Sequence, residues 1–174
     1  ELPQPAAEEL ARSVASYFSA DGGSDLARFI GLEATGNEYM VYATGLGGEY
    51  ILAMVFDAEM PFSKIRAQAS NLALMFHELV SNTLKYALQE RDNARITIHV
   101  SQEEETGRAA RTTRIEFRDD GPGYPEDMLR LEQHNVGLYL IQTIVNKDLG
   151  GKLELRNDGG AVTVIEFEGV GSRE

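Results

Sequence analysis

Three polar side chains able to handle a metal ion and phosphate follow one stripe of a long predicted helix. At about 100° per residue, Glu78, Asn82 and Lys85 fall within about 60° of one another. The opposite side carries residues typical of a core-facing surface, which are Phe76, Leu79, Val80, Thr83 and Ala87. A carboxylate can polarise a nucleophile, an amide oxygen can ligate a hard cation, and an ammonium can neutralise phosphate. The same pattern is typical of a solvated helix face, so the stripe alone leaves both interpretations open.

An acidic glycine turn follows a predicted strand further along the chain. Asp119 leads this turn, and Gly121 and Gly123 would let the backbone approach a planar ligand closely. The leading carboxylate can accept a hydrogen bond from an amino group. A tight turn would use the same residues for structural reasons only, so this pattern also has a plain alternative.

A third feature is a glycine at the start of a predicted helix. Asn135 would be the N-cap there, and Gly137 and Leu138 would belong to the first turn. The free N–H groups of such a turn can receive phosphate oxygens, although an ordinary N-cap beside a glycine is also common. Each of the three features is weak alone, and it is their order and spacing that favour a ligand site.

The surrounding chain alternates helices and short strands. Helices are predicted for residues 6–19, for Pro61 to about Leu88 with a break at Ser70, and for residues 136–147, ended by Gly150 and Gly151. Strands are predicted near residues 27–33, 38–44, 50–56, 94–101, 114–118, 152–156 and 161–168, with loops at 45–48, 102–111 and 157–160 and a turn near 128–131. The sum predicts an α+β fold with a largely antiparallel sheet and helices on one face.

Bulk composition narrows the classes of partner. The chain has 174 residues, a formal charge of −12 and no cysteine, which suits one domain with a smaller appendage in a reducing cytoplasm. An acidic surface argues against nucleic acid and against contact with an anionic membrane. A phosphate site would therefore have to be built locally. Because the chain begins at Glu1 without a Met, we expect it to be part of a longer protein.

Four ordered blocks carry a family resemblance. They are residues 77–86 (HELVSNTLKY), 119–123 (DDGPG), 136–141 (VGLYLI) and 149–151 (LGG). Together they resemble the ATP-binding domain shared by histidine kinases, gyrase, heat-shock chaperones and mismatch-repair ATPases. The resemblance implies a Bergerat-type fold, a two-layer sandwich of a mixed, mostly antiparallel sheet covered by helices on one face. It places the ATP-binding domain at residues 69–170 and a smaller αβ accessory segment at residues 1–68.

On the adenine side, the resemblance implies that Asp119 accepts the adenine amino group and that Gly121 and Gly123 shape the pocket. Ala161 stands where family members often have Thr, which removes one hydroxyl near the adenine. On the phosphate side, the resemblance implies a Mg²⁺ ion bridging the phosphates. The residues implied there are Asn82 as the metal ligand, Glu78 to orient or deprotonate the attacking group, Lys85 as a phosphate contact, and Gly137 with Leu138 in the lid.

The leading functional hypothesis is the Mg-ATP-binding catalytic domain of a sensor histidine kinase. No acceptor block of the kinase type precedes the domain, and His77, His99 and His134 are interpreted as packing or surface residues. The phosphoacceptor would therefore lie elsewhere, on a histidine domain or a response regulator, with a homodimer as the expected assembly. The alternatives are a partner-switching serine kinase that phosphorylates an antagonist protein, and a non-catalytic interaction module regulated by ATP.

The N-terminal third carries a second resemblance. Residues 50–57 and 60–66 are similar to the last strand and helix of roadblock-type proteins, which dimerise and bind small GTPases. A small GTPase is therefore a further predicted partner. The alternative is an accessory layer or a degenerate sensor remnant.

Overall fold

The computed structural model describes residues 2–21, 25–46, 50–57, 62–88, 93–104, 111–130 and 136–168. The chain divides into two compact units, Glu1–Ala73 and Leu74–Glu174. Among the described helices, none combines the length and the apolar character that crossing a membrane requires.

The first unit is built on a three-stranded antiparallel sheet in the order β1-β2-β3. Its elements are α1 (Gln4–Asp21), β1 (Leu26–Leu32), β2 (Asn37–Leu46), β3 (Tyr50–Asp57) and the first part of α2 (Phe62–Ala87). Helix α1 places apolar residues at intervals of four, and Ala6, Leu10 and Val14 form one buried cluster with Ile30 and Val41. Tyr42, Ala69 and Ala73 form a second cluster. Alternate residues of β2 thus enter different clusters, as the period of a strand requires.

Two carboxylates of this unit each accept two hydrogen bonds. Both oxygens of Glu9 on α1 accept backbone N–H bonds from the β1–β2 turn, from Glu33 at 2.9 Å and Ala34 at 3.0 Å. The bond from Ala34, followed by that from Glu33, lowers the pKa of Glu9. Asp25, just before β1, accepts from the Tyr42 hydroxyl at 2.9 Å and the Thr44 hydroxyl at 2.6 Å.

The second unit contains the remainder of α2 and a four-stranded sheet in the order β4-β5-β7-β6. Its further elements are β4 (Ile96–Glu104), β5 (Arg111–Asp119), α3 (Glu126–Leu129), α4 (Val136–Thr143), a π-helical turn (Ile144–Asp148), β6 (Lys152–Asn157) and β7 (Ala161–Glu168). All strand pairs described in this sheet are antiparallel. The α+β sandwich predicted from the sequence is confirmed.

Strand β5, one of the two inner strands of this sheet, has two chemically different faces. Ile115 and Phe117 are buried in the core, whereas Glu116 and Arg118 alternate with them. The Glu116 carboxylate forms ion pairs with Arg118 and Arg156, each at 3.3 Å. Arg118 also forms an ion pair with Asp158 at 2.6 Å. The alternation directs β5 so that its last residue, Asp119, lies on the same side as Phe117.

Helix α2 corrects one prediction from the sequence. We predicted a break at Ser70, but a single helix continues through this residue. Ala69, Leu72, Ala73 and Phe76 are buried, so the apolar stripe passes Ser70 without interruption and the serine takes an exposed position on the helix. The predicted helix start at Pro61 lies outside the described residues.

Other boundaries also shift. Strand β4 extends to Glu104 and β5 begins at Arg111, so both strands enter the predicted polar loop. The regular part of α4 ends at Thr143, and the π-helical turn follows, with Leu149 N–H bonded to the Ile144 carbonyl at 2.9 Å. The predicted stop at the following glycines is confirmed, since Gly150 has a φ of +62°. The predicted N-cap Asn135 and His134 lie outside the described residues.

Candidate functional site

A hollow of about 390 Å³ opens in the second unit between the end of α2, the turn after β5, helices α3 and α4, and strands β6 and β7. Its walls are mostly apolar, with Leu79, Met128 and Ile141 among them. Asn82 and Asp119 share this hollow. A volume of several hundred Å³ with apolar walls and a few polar groups is typical of a small-molecule site.

The Asp119 carboxylate is fixed by three donors from three segments of the chain. Its Oδ1 accepts from Gly121 N–H at 2.9 Å and from Ala161 N–H at 3.2 Å. Its Oδ2 accepts from the Thr83 hydroxyl of α2 at 2.9 Å. An ionised carboxylate can accept about four hydrogen bonds, so three bonds hold the group in place and leave capacity for a donor on a ligand. The hollow is thus equipped to bind an amino group.

Glycines let the backbone come close to this carboxylate. A Cβ on Gly121 would lie 2.7 Å from the Ala87 Cβ of α2, and a Cβ on Gly160 would collide with the backbone carbonyl of Asp119. Gly123 has a φ of +86°, and a Cβ there would lie 2.7 Å from Asn157 Oδ1. The turn and the β6–β7 hairpin therefore meet at distances that only glycine permits.

Tyr124 follows the glycine turn and forms part of the wall. Its backbone N–H donates to Asn157 Oδ1 at 2.7 Å, and its carbonyl accepts from Asn157 Nδ2 at 2.9 Å. Its hydroxyl lies 2.6 Å from Thr163 Oγ1 on β7. Burial raises the pKa of Tyr124, the Thr163 hydrogen bond acts in the opposite direction, and the charge of Asp119 raises the pKa further. The phenol therefore stays protonated at neutral pH.

Four of the residues proposed from the sequence come together. Asn82, Asp119, Gly123 and Leu138 line the one hollow, although they come from α2, the turn and α4. Gly121 packs behind the turn against Ala87. The stripe and the acidic turn therefore converge, which is the spatial condition on which the nucleotide hypothesis depends.

The other proposed residues lie outside the lining of the hollow. Glu78 is partly exposed, with Oε1 4.0 Å from His77 Nδ1. Lys85 is exposed, and its Nζ lies 5.0 Å from the ring centroid of Tyr86, a residue that does line the hollow. Gly137 lies in the first turn of α4, next to Leu138.

Four residues at the site escaped prediction: Thr83, Tyr124, Asn157 and Thr163. Thr83 was assigned to the core side of α2, and a hydroxyl on an otherwise apolar surface was the available signal. Tyr124 directly follows the glycine turn, so proximity alone could have identified it. Asn157 and Thr163 act across 33 and 39 residues, and no local pattern marks such contacts.

Within the described part of the chain, no group of three His, Asp or Glu side chains is arranged to hold a metal ion. Asn82 on α2 lines the hollow, as does Asp119 at the end of β5. Its amide oxygen is a suitable hard ligand for Mg²⁺, which commonly takes one or two protein ligands and completes its shell with phosphate oxygens and water. The donor set thus fits a metal brought in with a phosphorylated ligand.

The chain belongs to the family described as histidine kinase-, DNA gyrase B- and HSP90-like ATPases, whose model matches residues 67–169. The match covers more than half of the chain and begins after the first strands. All the residues that line the hollow fall inside the matched range. The roadblock-like interpretation of the N-terminal segment is not confirmed and stays a prediction.

The search of solved structures also matches histidine kinase domains. One is the histidine kinase domain of the Erythrobacter litoralis EL346 blue-light activated histidine kinase, with 24% identity over 58% of this chain and 44% of that chain, at a TM-score of 0.45. Another is the catalytic domain of the histidine kinase ThkA, with 19% identity over 57% of this chain and 66% of that chain, at a TM-score of 0.44. The chain thus spans less than two thirds of either structure. No match is found among curated proteins.

Proposed function

We propose that the second unit binds Mg-ATP and serves as the catalytic domain of a sensor histidine kinase. The observation that carries the proposal is the Asp119 carboxylate, which three donors hold at the wall of an apolar hollow. An adenine ring would lie between the apolar walls and donate its amino group to the remaining acceptor capacity of Asp119.

The phosphate side of the proposal rests on α2 and α4. Asn82 would ligate the Mg²⁺ ion, which neutralises phosphate charge when bound. Gly137 and Leu138 lie in the first turn of α4, where backbone N–H groups can bind phosphate oxygens. Glu78 would orient or deprotonate the attacking group, and Lys85 would contact phosphate. Positioning and charge neutralisation are the main requirements of phosphoryl transfer.

The first experiment replaces Asp119 by Asn and measures Mg-ATP binding by calorimetry. The amide can still accept from Gly121 and Ala161, and Thr83 can turn its hydroxyl to the Leu79 carbonyl, which lies 3.2 Å away. The fold should therefore survive, while the new amide donor opposes the adenine amino group. We expect affinity to fall by about 100-fold, as loss of a hydrogen bond to a charged group predicts.

The matched control is Asp25→Asn, which removes a hydroxyl-bonded carboxylate from the first unit. It should leave ATP affinity unchanged. If Asp119→Asn binds ATP as tightly as the parent while circular dichroism shows an intact fold, Asp119 does not read adenine and the proposal is wrong.

The second experiment tests the reaction with radiolabelled ATP and the full natural protein. Acid-labile label supports transfer to histidine, whereas acid-stable label on a partner protein supports the partner-switching serine kinase. In either kinase, Glu78→Gln should reduce transfer strongly while leaving ATP affinity within about twofold, since the side chain acts on the attacking group. Binding without any transfer would instead identify an ATP-regulated interaction module.

A further inference from the structure

We propose that the Tyr124 hydroxyl is a hydrogen-bond donor that selects a ring-nitrogen acceptor on the bound heterocycle, and that Thr163 positions it. The inference rests on the proposed function, because it concerns how the same hollow recognises its base. It assigns a specificity role to a residue pair that lies beside Asp119 and is independent of its carboxylate.

Tyr124 and Thr163 each have one hydroxyl hydrogen, and a single bond of 2.6 Å joins their oxygens. Whichever residue donates, one hydrogen is left over. Within the described residues, the structure gives neither oxygen a second hydrogen-bond partner. The pair therefore always retains one unused donor.

The unused donor hydrogen belongs to Tyr124 rather than to Thr163. Thr163 is completely buried, and a buried hydroxyl hydrogen without an acceptor costs about 1–3 kcal/mol. Tyr124 lines the hollow, where water or a ligand can accept its hydrogen. The less costly arrangement has Thr163 donating to Tyr124 and Tyr124 directing its own hydrogen into the hollow. The raised pKa of Tyr124 is consistent with a phenol that remains a donor in neutral solution.

A matching ligand offers a hydrogen-bond acceptor to Tyr124 and a donor to Asp119. Ala161 bonds Asp119 through its N–H, and Thr163 lies two residues further along β7, on the same side of the strand. The Asp119 carboxylate, an acceptor, and the Tyr124 phenol, a donor, are therefore both held by residues of β7. A heterocycle with an exocyclic amino group and a ring nitrogen satisfies both. Adenine has this combination.

The test combines Tyr124→Phe with ATP analogues in which N1, N3 or N7 is replaced by CH. The phenylalanine keeps the ring and removes the donor. We expect Tyr124→Phe to bind Mg-ATP about three- to tenfold more weakly, as a neutral hydrogen bond predicts. One of the three analogues should lose a similar factor with the parent protein and nothing further with the variant.

Thr163→Val is the second variant, with nearly the same volume and no hydroxyl. Because it removes the positioning bond, it should weaken ATP binding less than Tyr124→Phe, and the double variant should bind no more weakly than Tyr124→Phe alone. Circular dichroism and thermal melting monitor the fold. These variants also keep the test open if Tyr124→Phe proves unstable.

Two results would overturn the inference. One is unchanged ATP affinity in a folded Tyr124→Phe protein. The other is that each deaza analogue loses the same factor of affinity in the parent and in the variant. The Tyr124–Thr163 pair would then be a structural contact only. Failure of the proposed function looks different, because then the parent itself does not bind ATP and Asp119→Asn changes nothing.

Discussion

Two aspartates, one in each unit, hold hydroxyl groups in similar ways and yet have different surroundings. Asp25 accepts from Tyr42 and Thr44 at the exposed start of β1. Asp119 accepts from Thr83 and two backbone N–H groups at the end of β5, beside an apolar hollow. The hydrogen bonds alone do not separate a structural carboxylate from a binding one.

What separates them is the chain around them. Asp119 is followed by Gly121 and approached by Gly160, so backbone rather than side chains surrounds it and a space remains. The two hydrogen bonds given for Asp25 come instead from side-chain hydroxyls, those of Tyr42 and Thr44. Glycines beside a carboxylate can therefore leave space that side chains would otherwise fill.

The largest expected effect comes from Gly160→Ala. Its Cβ would collide with the backbone carbonyl of Asp119, and backbone cannot rotate away as a side chain can. We expect a loss of about 3 kcal/mol or more in the free energy of unfolding of the second unit, since overpacking with backbone displacement exceeds ordinary core strain. Thermal melting followed by circular dichroism measures this loss.

Gly159→Ala is the matched control for that prediction. Gly159 has a φ of +67° but nothing within 4 Å of an added Cβ, so only the left-handed strain of about 1–2 kcal/mol applies. If Gly160→Ala melts no lower than Gly159→Ala, the close approach of the hairpin to Asp119 is not a structural requirement.

A moderate effect is expected from Thr83→Val, compared with Thr44→Val. The Thr83 side chain is buried and holds Asp119 Oδ2, so its hydroxyl should contribute about 1–3 kcal/mol. ATP affinity should also fall by about three- to tenfold, because the carboxylate loses its orientation. Chemical denaturation and calorimetry measure the two quantities.

Thr44→Val should change the free energy of unfolding by about 0.5 kcal/mol at most and leave ATP affinity as it is, because its bond to Asp25 is exposed. Equal effects of the two valines on ATP binding would remove the distinction between the aspartates.

The smallest effect concerns Glu9 and pH. The backbone N–H groups of Ala34 and Glu33 lower the pKa of Glu9 below its ordinary value of 4.5. The carboxylate therefore contributes stability above about pH 4.5, and this contribution is lost as the pH falls through the folded-state pKa. At pH 7, Glu9→Gln should melt at a slightly lower temperature than the parent. The two melting temperatures should converge in acid.

ATP affinity should not respond to Glu9→Gln, because Glu9 belongs to the first unit. Melting temperatures that differ by the same amount at pH 7 and pH 3 would contradict this role for the carboxylate.

The sequence was informative where local spacing determines position. The helix period and the glycine turn singled out Asn82, Asp119 and Gly123, and these three residues line one hollow. Thr83 was placed correctly on the buried side, but its role depends on Asp119, 36 residues away. Periodicity reports the direction of a side chain and does not report its partner.

The continuous helix α2 shows where local sequence preference fails to predict the structure. Ser70 and Asn71 are poor interior helix residues and favour caps, so local preference predicted a break. Burial of Ala69 and Ala73 shows that packing outweighs that preference. The contact between Asn157 and Tyr124 was likewise invisible, since it requires the β6–β7 hairpin to be in place.

The amide of Asn157 imitates a peptide group, giving and receiving one hydrogen bond with the main chain of Tyr124. It thereby ties the last residue of β6 to the residue that follows the glycine turn. Hydrolysis of this amide during chemical ageing would place an anionic oxygen against the Tyr124 carbonyl and repel the wall of the hollow. Asn157→Asp reproduces that lesion, and faster amide hydrogen exchange at Tyr124 with an otherwise unchanged spectrum is the expected signature; unchanged exchange would show that the wall does not depend on the amide.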